Sequence, residues 1–313
     1  MDKLIVAVVS WNTLDLTRQC LKTAGEELAR LQVLNEIWVV DNASSDSSVE
    51  MIRQEFPAVA LIVNRENVGF ARANNQILSQ AQGSHYQLLN SDTVIRPGSF
   101  KTMLAFMAAH PEAAAVSPRL IYPDGRIQKS FTVLPTVAGE LRYCMVLHFF
   151  PFGGLAKRLL GWERTDLAAI AEPREAEVLS AACLLLRREV IDKVGLLGEG
   201  YFLFSEENDY FYRMRRAGLK GYYLPAAEIT HLVGASRKKS GEAGSAVNFL
   251  RSRMIYFGRF HPDRVGAVRF IYRLFFAWSL AMARLTYLLK GRRDDHYVNL
   301  YRSLSQALAE VKP

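Results

Sequence analysis

Leu4-Ile5-Val6-Ala7-Val8-Val9, running into Ser10-Trp11-Asn12, is a continuous apolar stretch rich in β-branched residues that stops abruptly at polar ones. A run without polar alternation fits a strand covered on both faces, as in a parallel sheet between helices. Leu14, Cys20, Leu21, Ala24, Leu28 and Leu31 then recur at helical spacing, and Ile37-Trp38-Val39-Val40 repeats the buried-strand pattern. The alternation continues with a helix at about 47–55, a strand at Ala60-Leu61-Ile62-Val63, a helix at about 70–81 and a strand at Tyr86-Gln87-Leu88-Leu89. Strand and helix in this rhythm predict right-handed βαβ units and an α/β fold with a mostly parallel sheet.

In open sheets of this kind ligands bind beyond the carboxyl ends of the strands. The four predicted strands end at Ser10-Trp11-Asn12, Asp41-Asn42, Asn64-Arg65-Glu66-Asn67 and Asn90-Ser91-Asp92. One polar tip is ordinary turn chemistry, whereas four in series predict a polar pocket. Asp41 is an acceptor-only group suited to a pyrimidine N–H or a ribose hydroxyl. Asn67-Val68-Gly69-Phe70 reads as a glycine turn entering a helix that carries Arg72, Asn74 and Asn75. Its amides and guanidinium suit diphosphate oxygens, and a plain helix-entry turn is the alternative. Asp92, with substrate phosphates, suits Mg²⁺ or Mn²⁺. No Gly-rich dinucleotide fingerprint and no phosphate loop ending in Gly-Lys-Ser is present, which argues against redox-cofactor chemistry and nucleoside-triphosphate hydrolysis.

Downstream, Leu203-Phe204-Ser205-Glu206-Glu207-Asn208-Asp209-Tyr210 places three carboxylates within four positions, ahead of a basic stretch ending at Gly218. Acids at a helix start are favoured by the helix dipole alone. They are also what a reaction needs when a hydroxyl must lose a proton as it attacks.

Taken in order, Val9-Ser10-Trp11-Asn12, Val39 to Asp46, Asn67 to Asn75, Leu89-Asn90-Ser91-Asp92-Thr93, Phe202 to Asp209 and His231-Leu232-Val233-Gly234-Ala235-Ser236 resemble glycosyltransferase family 2, in its rhamnosyltransferase-like branch. The resemblance spans residues 4–236 and implies a GT-A fold, Rossmann-like, with an inverting transfer of a sugar from a nucleoside-diphosphate donor. It implies donor contacts from Ser10, Asn12, Asp41, Asn67, Gly69, Arg72, Asn74, Asn90, Ser91 and Asp92. Asn90-Ser91-Asp92 stands where the family has its Asp-x-Asp metal motif, so Asn90 replaces the first acid. Asp92 and His231 are the implied metal ligands for Mg²⁺ or Mn²⁺. Glu206-Glu207-Asn208-Asp209 matches an Glu-Asp-x-Asp pattern whose second acid is the general base. That points to Glu207, with Glu206 the other candidate and Asp209 a supporting or acceptor-binding group. Ala181 stands where relatives often carry glycine.

The chain has 313 residues and a net charge of +8. Residues 237–293 alone carry 13 Lys/Arg against two acids, so the basic excess belongs to the C-terminal region. Such a region seeks an anionic partner. Arg264, Arg269, Arg273, Arg284, Lys290, Arg292 and Arg293 flank or interrupt Phe270, Leu274, Phe275, Phe276, Trp278 and Leu285 within a helical pattern at 246–290. This suits a helix lying in an anionic membrane interface; a helix packed on the catalytic domain is the other reading. The longest uncharged run, Leu274 to Ala283, is too short to span a bilayer. No nucleic-acid module accompanies the charge, so nucleic acid is not expected as a partner.

Residues 139–173, with Tyr143, His148, Phe149, Phe150, Phe152 and Trp162, read as an insertion: a flap over the acceptor, a membrane-contact surface or a plain crossing segment. The expected division is 1–240 for the transferase domain and 241–313 for a basic amphipathic helical region. Cys20, Cys144 and Cys183 form no ligand pattern and read as thiols in a reducing compartment. No long apolar segment precedes a cleavage-like site at the start, so no export signal is expected. The resulting expectation is a cytoplasmic enzyme, peripheral on the inner face of the plasma membrane, acting on a lipid-linked or polysaccharide acceptor in bacterial cell-surface glycan synthesis. A nucleotidyltransferase on a similar scaffold and a non-catalytic sugar-nucleotide or membrane-binding module are the alternatives.

Overall fold

The computed structural model describes residues 3–148, 152, 154–155, 166–232, 235–290 and 295–312; within the helices, the side chains of 235–242, 287–290 and 295 lie outside the description. The chain divides into two compact units: 1–134, 166–202 and 206–236 form the first, and 135–165, 203–205 and 237–313 the second.

The first unit is built on a sheet of β1 (Lys3–Ser10), β2 (Leu34–Asp41), β3 (Ala60–Val63), β4 (His85–Asn90), β5 (Thr93–Ile95), β6 (Ala113–Ile121), β8 (Arg174–Ala176), β10 (Cys183–Arg187) and β11 (Lys220–His231), with a separate pair formed by β7 (Phe131–Thr132) and β9 (Val178–Leu179). The order is β3-β2-β1-β4-β10-β6-β11-β5, with β8 against β11. The first four strands run parallel, as the βαβ rhythm predicts, while β10 is antiparallel to both β4 and β6. Helices Leu14–Leu28 and Ser99–Ala109 cover one face with Cys20, Leu21, Ala24, Phe100 and Met103. Helices Phe70–Gln80 and Glu206–Arg216 cover the other with Ile77, Leu78, Tyr210, Phe211 and Met214. Burial on both faces explains why β1 contains no polar residue between Lys3 and Ser10.

The second unit is helical. Val137–His148 packs with a C-terminal set comprising Ala235–Phe260, Val265–Lys290 and Asp295–Glu310. The helical pattern at 246–290 therefore resolves into two helices, separated by a short 3₁₀ turn at Pro262–Arg264 where proline interrupts the hydrogen-bond ladder. The expected insertion at 139–173 also divides: its first part joins the helical unit, whereas 166–173 belong to the sheet unit. Phe149, Phe150, Gly153, Lys157, Arg158, Trp162 and Arg164, together with Arg292 and Arg293, lie outside the described residues. By length and composition the helical stretch Pro262–Thr286, whose most apolar 18-residue window has mean hydropathy 1.3, is long and apolar enough to cross a membrane, and one third of that window is buried within the protein. That departs from the expectation drawn from its longest uncharged run, because the apolar residues around Arg269 and Arg273 keep the window apolar on average.

Two arginines predicted to seek headgroups behave differently. Arg269 donates to the carbonyls of Leu308 and Val311 and so caps the last helix, while Arg273 is exposed. All three cysteines are buried and unpaired, and burial pushes the Cys20 and Cys144 thiols up to about 12.

Candidate active site

Strand register brings the predicted site residues to one edge of the sheet. Ser10 lies opposite Asp41, Val9 opposite Asn90, and Cys183 opposite Leu89. His231, the last residue of β11, lies opposite Thr93, the first of β5. A single edge thus collects Ser10, Asp41, Asn90, Ser91, Asp92 and His231.

At one end of this edge Asp41 is fully buried. Its Oδ1 accepts from the Ser44 amide at 2.9 Å, while Oδ2 has no hydrogen-bond partner among the described residues. A buried carboxylate oxygen without a donor is costly, so Asp41 is equipped to receive a ligand N–H or O–H. Beside it, a cavity of about 500 Å³ is lined by Ser44, Ser45, Asp46, Glu50 and Arg53. Asn12, at φ 53°, accepts from the Ser45 and Asp46 amides and shapes that turn.

Toward the middle, Asp92 Oδ1 lies 3.2 Å from His231 Nε2, both side chains being largely buried. The Leu232 amide donates to Asp92 O, which fixes the backbones together. Gln128, which the sequence reading did not single out, orients the imidazole: its Nε2 donates to His231 O at 2.6 Å, leaving Oε1 to face His231 Nδ1 at 2.9 Å. Nδ1 must then carry the proton, so a neutral imidazole turns the Nε2 lone pair toward a carboxylate oxygen. Two acceptors at this distance repel unless they share a proton or a cation. Among the described residues no group of three or more His, Cys, Asp or Glu could hold a metal. A carboxylate and an imidazole, completed by substrate phosphates, nevertheless fit Mn²⁺ or Mg²⁺.

The acids lie at the start of helix Glu206–Arg216, one continuous element carrying both the predicted acidic cluster and the basic run. Glu207 Oε1 accepts from the Ala181 amide at 3.4 Å. The neighbouring Ala182 carbonyl accepts from the Asn90 amide at 3.0 Å, so Glu207 adjoins the edge that carries Asn90, Ser91 and Asp92. Loss of water raises the Glu207 carboxyl above its ordinary value, partly offset by backbone N–H groups. Glu206 is buried. Just ahead, Phe204 (φ 70°) and Ser205 (φ 64°) are both left-handed, an arrangement worth about 1–3 kcal/mol of strain per non-glycine residue.

Asp209 does not fit acceptor binding. It is fully buried, with Tyr201 Oη donating to Oδ2 at 3.1 Å and Arg213 Nε to Oδ1 at 2.7 Å; Arg213 also donates to the carbonyls of Val194 and Leu196. Asp209 therefore secures residues 194–201. Several predicted donor contacts also have structural partners. Asn67 Oδ1 accepts from Asn42 and the Gly69 amide. Gly69, at φ 85°, is required because a Cβ there would come within 2.7 Å of the Phe202 carbonyl. Asn74 is buried and donates to Phe70 O, and Arg72 pairs with Glu199 at 3.5 Å while half-exposed. Ser10 is buried in a hydroxyl cluster with Thr13 and Thr17, and Thr13 bonds in turn to Ser91. These residues shape the rim from behind, which polarity alone does not distinguish from ligand contact.

A family model described as glycosyl transferase family 2 matches residues 5–195. The chain is 28% identical over 221 residues to the N-acetylglucosaminyl-diphospho-decaprenol L-rhamnosyltransferase of Mycobacterium tuberculosis, covering 65% of this chain and 70% of that one. It is 24% identical over 207 residues to the O-antigen biosynthesis protein RfbC of Myxococcus xanthus, covering 65% of this chain and 15% of the relative. Among solved structures it resembles the mannosyltransferase PcManGT of Pyrobaculum calidifontis, in complex with GDP-Man and Mn²⁺ (TM-score 0.55, 16% identity, 98% of this chain, 84% of that one). It also resembles GalNAc-T7 with UDP, GalNAc and Mn²⁺ (TM-score 0.57, 16% identity, 80% of this chain); the chain spans about half, 47%, of GalNAc-T7. These structures share the GT-A fold that the family resemblance implies, on the mostly parallel α/β sheet expected from the strand pattern. Neither the nucleotidyltransferase alternative nor the non-catalytic one receives support from the family match. With its edge of acids and amides at the strand ends, the chain belongs to glycosyltransferase family 2, in a rhamnosyltransferase-like branch, and is a glycosyltransferase.

Proposed function

We propose that the protein transfers rhamnose or another hexose, with inversion, from a nucleoside-diphosphate donor to a hydroxyl of a lipid-linked or polysaccharide acceptor in cell-surface glycan synthesis. The observation that carries this reading is Glu207 against Ala181, one residue from the backbone link to Asn90 and the edge bearing Asp92 and His231. The rhamnosyltransferase relative, named for a lipid-diphosphate-linked sugar, supports the acceptor class.

The acceptor oxygen attacks the anomeric carbon as its proton passes to Glu207. The bond from that carbon to the diphosphate oxygen breaks, and its electron pair leaves with the nucleoside diphosphate. A raised carboxyl is a stronger base once ionised, which suits Glu207 to this step better than an exposed acid. Asp41 receives an N–H or O–H of the nucleoside through Oδ2. Asp92 and His231 would hold the divalent cation, which would supply positive charge to the departing diphosphate. Helix Val265–Lys290 carries an exposed apolar face, Phe270, Leu274 and Leu285, flanked by exposed Arg273 and Arg284. We assign that face to an anionic membrane surface, which would make the enzyme peripheral on the cytoplasmic side.

The test is turnover of a panel of nucleoside-diphosphate sugars with a lipid-linked acceptor, with Mn²⁺ and with chelator. Glu207→Gln should lower transfer by about 10²–10⁴-fold while nucleotide binding, read by calorimetry, persists. Retained transfer in Glu207→Gln would end the assignment.

A further inference from the structure

The two left-handed residues before the acids need an external hold, since neither is glycine. Ser205 occupies the position from which a serine ordinarily caps a helix, but its buried Oγ makes no hydrogen bond among the described residues. The hold comes instead from helix Ala235–Phe260. Ser252, itself buried, donates its hydroxyl to Leu203 O at 2.8 Å. The Phe249 ring stands edge-on to Phe204, with centroids 6.0 Å apart at 70°.

Phe249 is itself restrained. The Arg253 guanidinium lies 4.9 Å from its ring centroid, and Tyr143 lies 5.6 Å away on centroids. Arg253 pairs with buried Glu140 at 3.1 Å, and Tyr272 donates to the other Glu140 oxygen at 2.6 Å. A buried ion pair, a cation–π contact and a ring contact thus converge on Leu203–Ser205, and Glu206 follows with no intervening residue. Such investment in three residues of loop exceeds what joining two elements requires.

We infer that Ser252 and Phe249 are positioning residues for transfer: they hold Leu203–Ser205 in its left-handed path and so set where the helix bearing Glu207 begins. Neither touches a substrate; each acts through the backbone that leads into the acids. The inference rests on Glu207 as the base. Displacing a reacting group by a fraction of its working distance lowers the rate steeply without weakening ground-state binding.

The experiment uses the full chain. Ser252→Ala should lower kcat about tenfold and Phe249→Ala about 100-fold, with the donor KM unchanged and thermal unfolding close to wild type for Ser252→Ala. Ser252→Thr, which keeps a hydroxyl, should restore kcat, and Ser305→Ala, on a hydroxyl that donates to the Tyr301 carbonyl of its own helix, should match wild type. Amide exchange should quicken at residues 204–208 in Ser252→Ala. Wild-type kcat in both Ser252→Ala and Phe249→Ala would overturn the inference, as would a loss in Ser252→Ala that Ser252→Thr fails to restore. Should Phe249→Ala fail to fold, the Ser252 pair decides alone. Activity retained in Glu207→Gln would instead remove the underlying reading of the base, so the two failures are distinguishable.

Discussion

Glu207 sits where desolvation and backbone donors oppose each other, and desolvation prevails. Its proton therefore leaves at a higher pH than from a carboxyl in water. Because a general base works only when ionised, the rate should climb with pH through a midpoint above the ordinary glutamate range near 4.3. The same displacement affects stability with a definite sign. Between the unfolded and the raised folded values the native state holds the extra proton, so stability is greater at the acidic end and falls as pH rises through the folded value. In Glu207→Gln that component of the slope should vanish from urea-unfolding free energies measured between pH 4 and 7. A slope identical to wild type would show that Glu207 titrates normally. Gln128 teaches a related lesson at the other acid: a neutral amide beside β6 dictates which imidazole nitrogen faces Asp92.

Among the elements, the loop 194–201 shows how the acid helix is held from its far side. Asp209 and Arg213, one turn apart, fasten it through Tyr201 and the carbonyls of Val194 and Leu196, and Asn75 adds bonds to the Leu197 carbonyl and amide. Asp209→Ala would leave a mostly buried guanidinium without its carboxylate, and should cost about 3–5 kcal/mol in urea unfolding. A loss below about 1 kcal/mol would show that the pair is solvated in solution. The βαβ elements were legible because burial on both faces writes an uninterrupted apolar run, as in Leu4 to Val9. The edge residues were legible as polar strand ends. What escaped the sequence was division of labour along that edge. Asn67 and Asp41 look equally polar, yet Asn67 closes a turn while Asp41 keeps an oxygen without a donor among the described residues, because that outcome depends on partners such as Asn42. Of the two roles the sequence left open for Asp209, the supporting one could not be chosen for the same reason: its partners, Tyr201 and Arg213, carry no motif. The 3₁₀ break at Pro262 was missed because apolar periodicity resumes in phase beyond it.

For the whole molecule, charge and apolar surface concentrate in the helical unit. Substituting Phe270 and Leu274 together by serine should abolish co-sedimentation with vesicles containing anionic lipid and leave transfer to a soluble acceptor at the wild-type rate. Equal sedimentation with neutral and anionic vesicles would remove the electrostatic part of the assignment. The sheet, meanwhile, is assembled out of chain order, with β10 entering between β4 and β6, and β11 closing on β5. A growing polypeptide must therefore release Arg187 before β4 gains its second neighbour, and His231 before Asp92 meets its imidazole. Long loops have to close before those pairings can form, and such closures are slow. The nascent chain can hence gather its first strands and helices well before the edge that carries Asp92 and His231 is complete.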